Sequence, residues 1–164
     1  MIFELLDNRD YSLLKEFLYM AIFIPAGELP VPKSILDQPE ILRYIENFGK
    51  MPGDLAIATK DEDKIVGIIW GRKFQSPNCG YGYVDDETPE ISMSVLSDYR
   101  GQGIGARLLE KIASKYFEMG IQSLSLSVDK RNPAIHLYKR AGYKIFTESE
   151  SSYVMKKHLR FESQ

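Results

Sequence analysis

The hydrophobic positions along the chain change period several times, and each change predicts an element. IFELL at 2–6 reads as a short strand. Leu13, Leu14, Phe17, Leu18 and Ala21 then recur at helical spacing behind a cap at Asn8 or Asp10, and Pro25 stops the helix. Pro25, Pro30, Pro32 and Pro39 make IPAGELPVPKSILDQP a stiff extended loop, after which EILRYIENFG predicts a second helix with Gly49 at its end. Two apolar runs, 54–60 and 64–73, flank the tight polar turn Asp61-Glu62-Asp63 and predict a hairpin. SPNCGYGYVDDETP is a turn-rich loop, and EISMSVL at 90–96 is a third long strand that runs straight into glycines. The helix after them carries Leu108, Leu109, Ile112 and Tyr116 on one face until Gly120. QSLSLSV at 122–128 alternates strictly, with serines on one side and Leu124, Leu126 and Val128 on the other. Asn132 caps and Pro133 opens a short helix closed by Gly142, and YKIF and SYVMKKHL supply two last strands. The predicted order is β-α-α-β-β-β-α-β-α-β-β, an α+β chain without internal repeats or linkers.

Length and charge narrow what such a chain does. Its 164 residues suit a single domain, 1–164, able to bury roughly two-thirds of its unfolded surface. A net charge of −2 lacks the basic excess of a dedicated nucleic-acid binder, so no nucleic-acid partner is expected. The lone Cys79 excludes an internal disulfide framework. The acidic, short amino-terminal run does not read as a signal peptide, and no apolar run reaches the ~18 residues of a membrane span. A cytoplasmic location with no membrane partner is the default expectation.

The chemistry concentrates in YRGQGIGARLL, where Gly101, Gly103 and Gly105 fall within five positions between a strand and a helix. Gly101, Gly103 and Ala106 fit G-x-G-x-x-A, with Asp129 at the end of the next strand as a ribose acid. A dinucleotide fold needs two β-α-β-α-β halves, however, and only 63 residues follow Gly101. A phosphate loop of the G-x-x-x-x-G-K-[ST] type fails because no Lys-Ser or Lys-Thr follows. What remains is an anion seat made of backbone N–H groups at a helix start, with Arg100 adding charge at its mouth.

YRGQGIGARLL followed by SLSVDKRNPAIHLYKRAGYKIF resembles the acetyl-coenzyme-A-binding core of the GNAT superfamily of N-acetyltransferases. Arg100, Gly103 and Gly105 fill the first motif, while Asn132 through Tyr138 and Ala141-Gly142-Tyr143 form the second. The resemblance covers roughly residues 90–146. It implies a single domain with a central mixed, mostly antiparallel sheet flanked by about four helices, and acetyl-CoA as cosubstrate. Met93, Val95, Arg100, Gly101, Gly103, Ile104, Gly105, Asn132 and Tyr138 would contact the donor, and a backbone N–H in the middle of the 90–96 strand would meet the charge that develops on the acyl oxygen. The serine face of 122–128 would leave room for a thin pantetheine arm between the strands.

The implied reaction is attack by a neutral amine on a thioester in a ternary complex. A free amine has a pKa of about 10, so a base must take its proton. Glu90 is the candidate base, against a strand-end surface carboxylate, and Tyr138 is the candidate acid for the departing thiolate. Asp85, Asp86 and Glu87 read as a solvated loop or as a lure for a cationic amine, and His136 and His158 as surface residues. No residues have metal-ligand spacing, so no metal is expected. Phe23, Trp70, Tyr81 and Tyr83, with Arg72, are the acceptor-site candidates, and a small-molecule amine is the expected acceptor. Acetylation of a protein amino terminus or lysine, and a non-catalytic acyl-CoA-binding module, stay open. A homodimer through the carboxy-terminal strands is an expectation by analogy alone.

Overall fold

A computed structural model describes residues 1–160. Seven strands form one sheet: β1 (Ile2–Leu5), β2 (Leu55–Asp61), β3 (Lys64–Arg72), β4 (Glu90–Val95), β5 (Ser123–Asp129), β6 (Lys144–Glu148) and β7 (Ser152–His158). Their order across the sheet is β1-β2-β3-β4-β5-β7-β6. Every neighbouring pair is antiparallel except β4 and β5, which run parallel. Four helices flank it: α1 (Leu14–Ala21), α2 (Pro39–Leu42), α3 (Ile104–Glu118) and α4 (Ala134–Arg140). This is the mixed, mostly antiparallel α+β architecture expected.

Apolar burial divides between the two faces of the sheet. On one, α3 drives Leu108, Leu109, Ile112 and Tyr116 onto Ile69, Ile91, Leu124 and Leu126. Each such side chain contributes about 1.5–3 kcal/mol on burial, so the 3.6-residue spacing after the glycines holds α3 against this face of the sheet. On the other face, Leu14, Phe17 and Leu18 of α1 pack with Tyr44, Phe48, Ile68, Trp70 and Phe74. No helix among the described residues is long and apolar enough to cross a membrane.

Three expectations are corrected. The first helical segment is capped by Asp7, whose carboxylate accepts from the Arg9 N–H at 2.9 Å, and it opens as a 3-10 turn over Asn8–Leu13 before α1 begins. The hairpin turn is two residues, Glu62-Asp63, because Asp61 still pairs with Lys64 and Glu62 takes the left-handed φ of +56°. The second helix stops at Leu42. Beyond it, the carbonyls of Arg43 and Glu46, which a helix would direct along its own axis, turn to accept from the Arg72 guanidinium at 2.9 and 2.7 Å. A buried cation outcompetes the local helical bonds there, and the chain reaches Gly49 through irregular turns.

Candidate active site

The site begins where β4 and β5 part. Their ladder holds at one place, Glu90 opposite Ser125, with the Ser125 N–H donating to the Pro89 carbonyl at 3.0 Å. From Ile91 onward the two strands diverge, and a groove of about 2510 Å³ opens along Met93, Ser94 and Val95. The main-chain groups of β4 on that side have no ladder partner, so an extended ligand bearing its own amides can complete the sheet.

At the wide end of the split lies the glycine turn. Gly101 and Gly103 adopt φ of +76° and +81°, conformations that a side chain would strain, and a Cβ at either would meet no atom within 4 Å. They therefore serve the backbone's shape and leave open space above it. Gly103 caps α3 with no side-chain hydrogen bond and no acid follows in the first turn, so the positive end of a 15-residue helix faces that space unneutralised. Arg100 stands exposed beside it, its Nε donating to the Val95 carbonyl at 3.2 Å. Gly105 has a different duty: a Cβ there would sit 3.1 Å from Leu137 and 3.3 Å from Met93, so its absence lets α3 close on α4 and β4.

The other bank is α4. Asn132 Oδ1 accepts the Ala134 N–H at 2.9 Å and starts the helix. One turn later Tyr138 faces the groove, packed edge-on against Tyr143 at 6.3 Å between ring centres. Burial pushes the Tyr138 hydroxyl up to about 12, so it keeps its proton at neutral pH. A strap over residues 22–31 runs from the end of α1 across to this bank. Tyr19 Oη donates to the Val31 carbonyl, and Glu28 reaches Arg131 at 3.5 Å.

Glu90 is not a surface carboxylate. It is 3% exposed and lies at the closed end of the split, outside the groove lining. Tyr44 Oη donates to its Oε2 and accepts the Tyr81 N–H at 2.7 Å. A Cβ on Gly80 would clash with the carboxyl group, and one on Gly82 would strike the Leu126–Ser127 backbone and crowd the carboxyl carbon at 3.0 Å. Its Oε1 and the neighbouring Ser125 Oγ are buried with no hydrogen-bond partner of good geometry. Burial raises the carboxyl from 4.5 to about 7, against the opposing pull of the Tyr44 hydrogen bond and the loosely directed Gly82 N–H. Tyr44 was not legible as part of this site, since in the sequence it is one aromatic in an apparently amphipathic helix.

The serine face of β5 is itself covered by protein, so the room expected between the strands lies along the diverging edge of β4 and owes nothing to the serines. Ser123 Oγ and Thr88 Oγ1 lie 2.8 Å apart, and Gly82 rests directly on the Leu126–Ser127 backbone. Trp70 is likewise corrected as a cleft residue: it is buried in the α1-side core with its Nε1 donating to the Tyr44 carbonyl. Arg72 is 2% exposed and bound to Asp54 at 2.9 Å, and it stands outside the groove, beside a smaller cavity formed with Arg43, Glu46 and Phe74. Tyr81 is 60% exposed outside the groove, and Tyr83 donates to Asp86 in the same outer loop. Of the acceptor candidates only Phe23 lines the groove, where Ile104 is also found. The groove further gathers Arg140, Lys144, Lys156 and His158, a basic flank not singled out in the sequence because its members come from α4, β6 and β7. Among the described residues no cluster of His, Cys, Asp or Glu could hold a metal.

A split parallel pair, an open helix start reached through left-handed glycines, and a tyrosine on the far bank frame one cleft whose shape suits an extended ligand with an anionic end. The sequence profile of the acetyltransferase (GNAT) family matches residues 19–143, and the chain belongs to that family. The thialysine N-ε-acetyltransferase of Mus musculus is 40% identical over 57 residues, 34% of this chain and 34% of its own length. The chain thus spans about a third of that curated relative. Among solved structures, the PaiA N-acetyltransferase of Thermoplasma acidophilum in complex with coenzyme A superposes with a TM-score of 0.68 at 19% identity, covering 96% of this chain and 99% of that one. The ribosomal-protein-alanine N-acetyltransferase of Brucella melitensis gives 0.69 at 20%, covering 97% and 100%. These likenesses establish the fold.

Proposed function

We propose that the protein transfers an acetyl group from acetyl-CoA to a primary amine by direct attack. The observation that carries this reading is the β4–β5 split opening onto the uncapped start of α3. It offers unpaired strand amides for a pantetheine arm and a positive helix end for a pyrophosphate. Acetyl-CoA would supply an activated thioester whose carbonyl accepts the amine. Gly101, Gly103 and Arg100 would hold the pyrophosphate, Met93 and Val95 the acyl arm, with Ile104 and Gly105 shaping the floor and Asn132 the opposite wall. Tyr138, protonated at neutral pH, is the group to hand a proton to a departing thiolate. Glu90, poised near neutrality, is the acceptor for the amine's proton. Since it stands behind the groove, this role requires a water or hydroxyl relay to carry the proton from the amine to the carboxylate.

Acetyl-CoA at a hundred times its Kd is expected to stabilise the fold by about 2.7 kcal/mol, a rise of about 5–10 °C in Tm for a chain of this size. Thiol release across a panel of monoamines, polyamines, amino acids and peptides should then identify at least one acceptor class. Tyr138→Phe is expected to lower kcat by about a hundredfold while leaving the acetyl-CoA-dependent rise in Tm in place. A melting shift without turnover of any amine would make the protein a binding module instead.

Gly103→Val tests the donor seat separately. A β-branched residue at φ +81° costs about 1–2 kcal/mol, and the backbone relieves it only by rotating the N–H groups away. The Kd for acetyl-CoA, read by calorimetry, should rise about tenfold, and an unchanged Kd would remove the turn from the donor site.

A further inference from the structure

Resting on the acetyl-transfer reading, we infer that the acceptor is a small primary amine carried on an apolar body, an alkyl or arylalkyl amine, bound beneath the 22–31 strap against Phe23. The strap's position follows from α1, which is fixed over β4 by Ser94 Oγ donating to the Phe17 carbonyl at 2.7 Å. The chain leaving α1 therefore runs beside the unpaired half of β4, where the acyl group would lie. From this side the groove receives Met20, Ile22, Phe23, Ile24, Pro30 and Val31. The Tyr19 hydroxyl is committed to the Val31 carbonyl, so its polarity is spent within the wall.

Charge argues the same way. Among the described residues that line the groove, the acids are Glu110 and Glu118, both on α3, while Arg100, Arg140, Lys144 and Lys156 are cationic. A polyamine brings two or more positive charges and needs carboxylates to replace its lost water. The acids of the 85–87 loop are engaged elsewhere: Asp86 accepts from Tyr83 and Ser76, Asp85 from the Glu87 N–H, and Glu87 lies 3.6 Å from Lys73. Glu90 is sealed beneath Gly80 and Gly82. An apolar wall also assists the chemistry, because desolvation disfavours the ammonium form and favours the free base that attacks.

The test is a shape-matched pair, n-pentylamine and 1,4-diaminobutane, which differ by a methyl group against a second ammonium. Wild-type protein is expected to show kcat/KM at least about tenfold higher for pentylamine. Phe23→Asp should narrow or invert that ratio, while calorimetry finds the acetyl-CoA Kd unchanged. A wild-type preference for 1,4-diaminobutane, or a ratio indifferent to Phe23→Asp, overturns the apolar assignment and leaves acetyl transfer standing. Failure of both amines, and of every other amine in the panel, overturns the acetyl-transfer reading itself and this inference with it.

Discussion

Glu90→Gln is expected to stabilise the protein above neutral pH and, at the same time, to abolish most of its turnover. The wild-type carboxyl titrates near 4.5 when unfolded and at about 7 in the folded protein, because burial penalises its charge more than Tyr44 relieves it. Between those values the folded state binds the extra proton, so stability is greatest below the unfolded pKa and falls as pH rises through the folded one. Across that interval the loss amounts to about 3 kcal/mol. Glutamine keeps the shape, never ionises, and should flatten this dependence, so urea unfolding at pH 5 and pH 8 ought to separate the two proteins only at the higher pH. For a base of this pKa, wild-type kcat/KM should climb with pH and level off near 7. The variant should lose about 10²–10⁴-fold in turnover with acetyl-CoA affinity intact. A variant that gains stability yet keeps its rate would reduce Glu90 to a buried structural acid.

The pairing of gained stability with lost activity is what a functional burial predicts, because a carboxyl kept beneath two glycines at this cost has no packing reason to be one. Glycine at 80 and 82 is required for the enclosure, and those residues read in the sequence only as loop punctuation. Elements set by strong periodicity were legible: the strand into the glycine turn, α3, β5 and α4 emerge where Leu108, Leu126 and Asn132 place them. What sequence could not show were features made by contacts distant along the chain. Tyr44 meets Glu90 across 46 positions, and Arg72 reaches Asp54 across 18. Local pattern therefore predicted a helix through Arg43 to Glu46 and a cleft tryptophan at 70, whereas Arg72 dissolves the one and the sheet buries the other.

Asp54→Asn should produce the largest stability loss, about 3–5 kcal/mol, because it leaves the Arg72 guanidinium buried without its anion. Arg72 also holds the Arg43 and Glu46 carbonyls and lies over the Phe48 ring at 5.3 Å, so the turn that carries Tyr44 depends on it. The consequence extends to the site through register. Arg72 and Glu90 are directly paired across β3 and β4 on the face that also buries Tyr44, yet the wild-type guanidinium is committed to Asp54 and contributes nothing to the carboxyl's charge. Once Asp54 is neutral, the guanidinium is released beside Glu90, its cross-strand neighbour, and a turn toward that carboxyl would favour the carboxylate. The pH at which kcat/KM levels off should move to lower values in Asp54→Asn, and chemical denaturation at pH 7 should show the weakened fold. A companion protein carrying Asp54→Leu and Arg72→Met, which removes both charges together, should recover much of the stability and retain the wild-type pH midpoint. An acid shift in both proteins would mean that the altered turn, rather than the freed cation, controls the Glu90 proton.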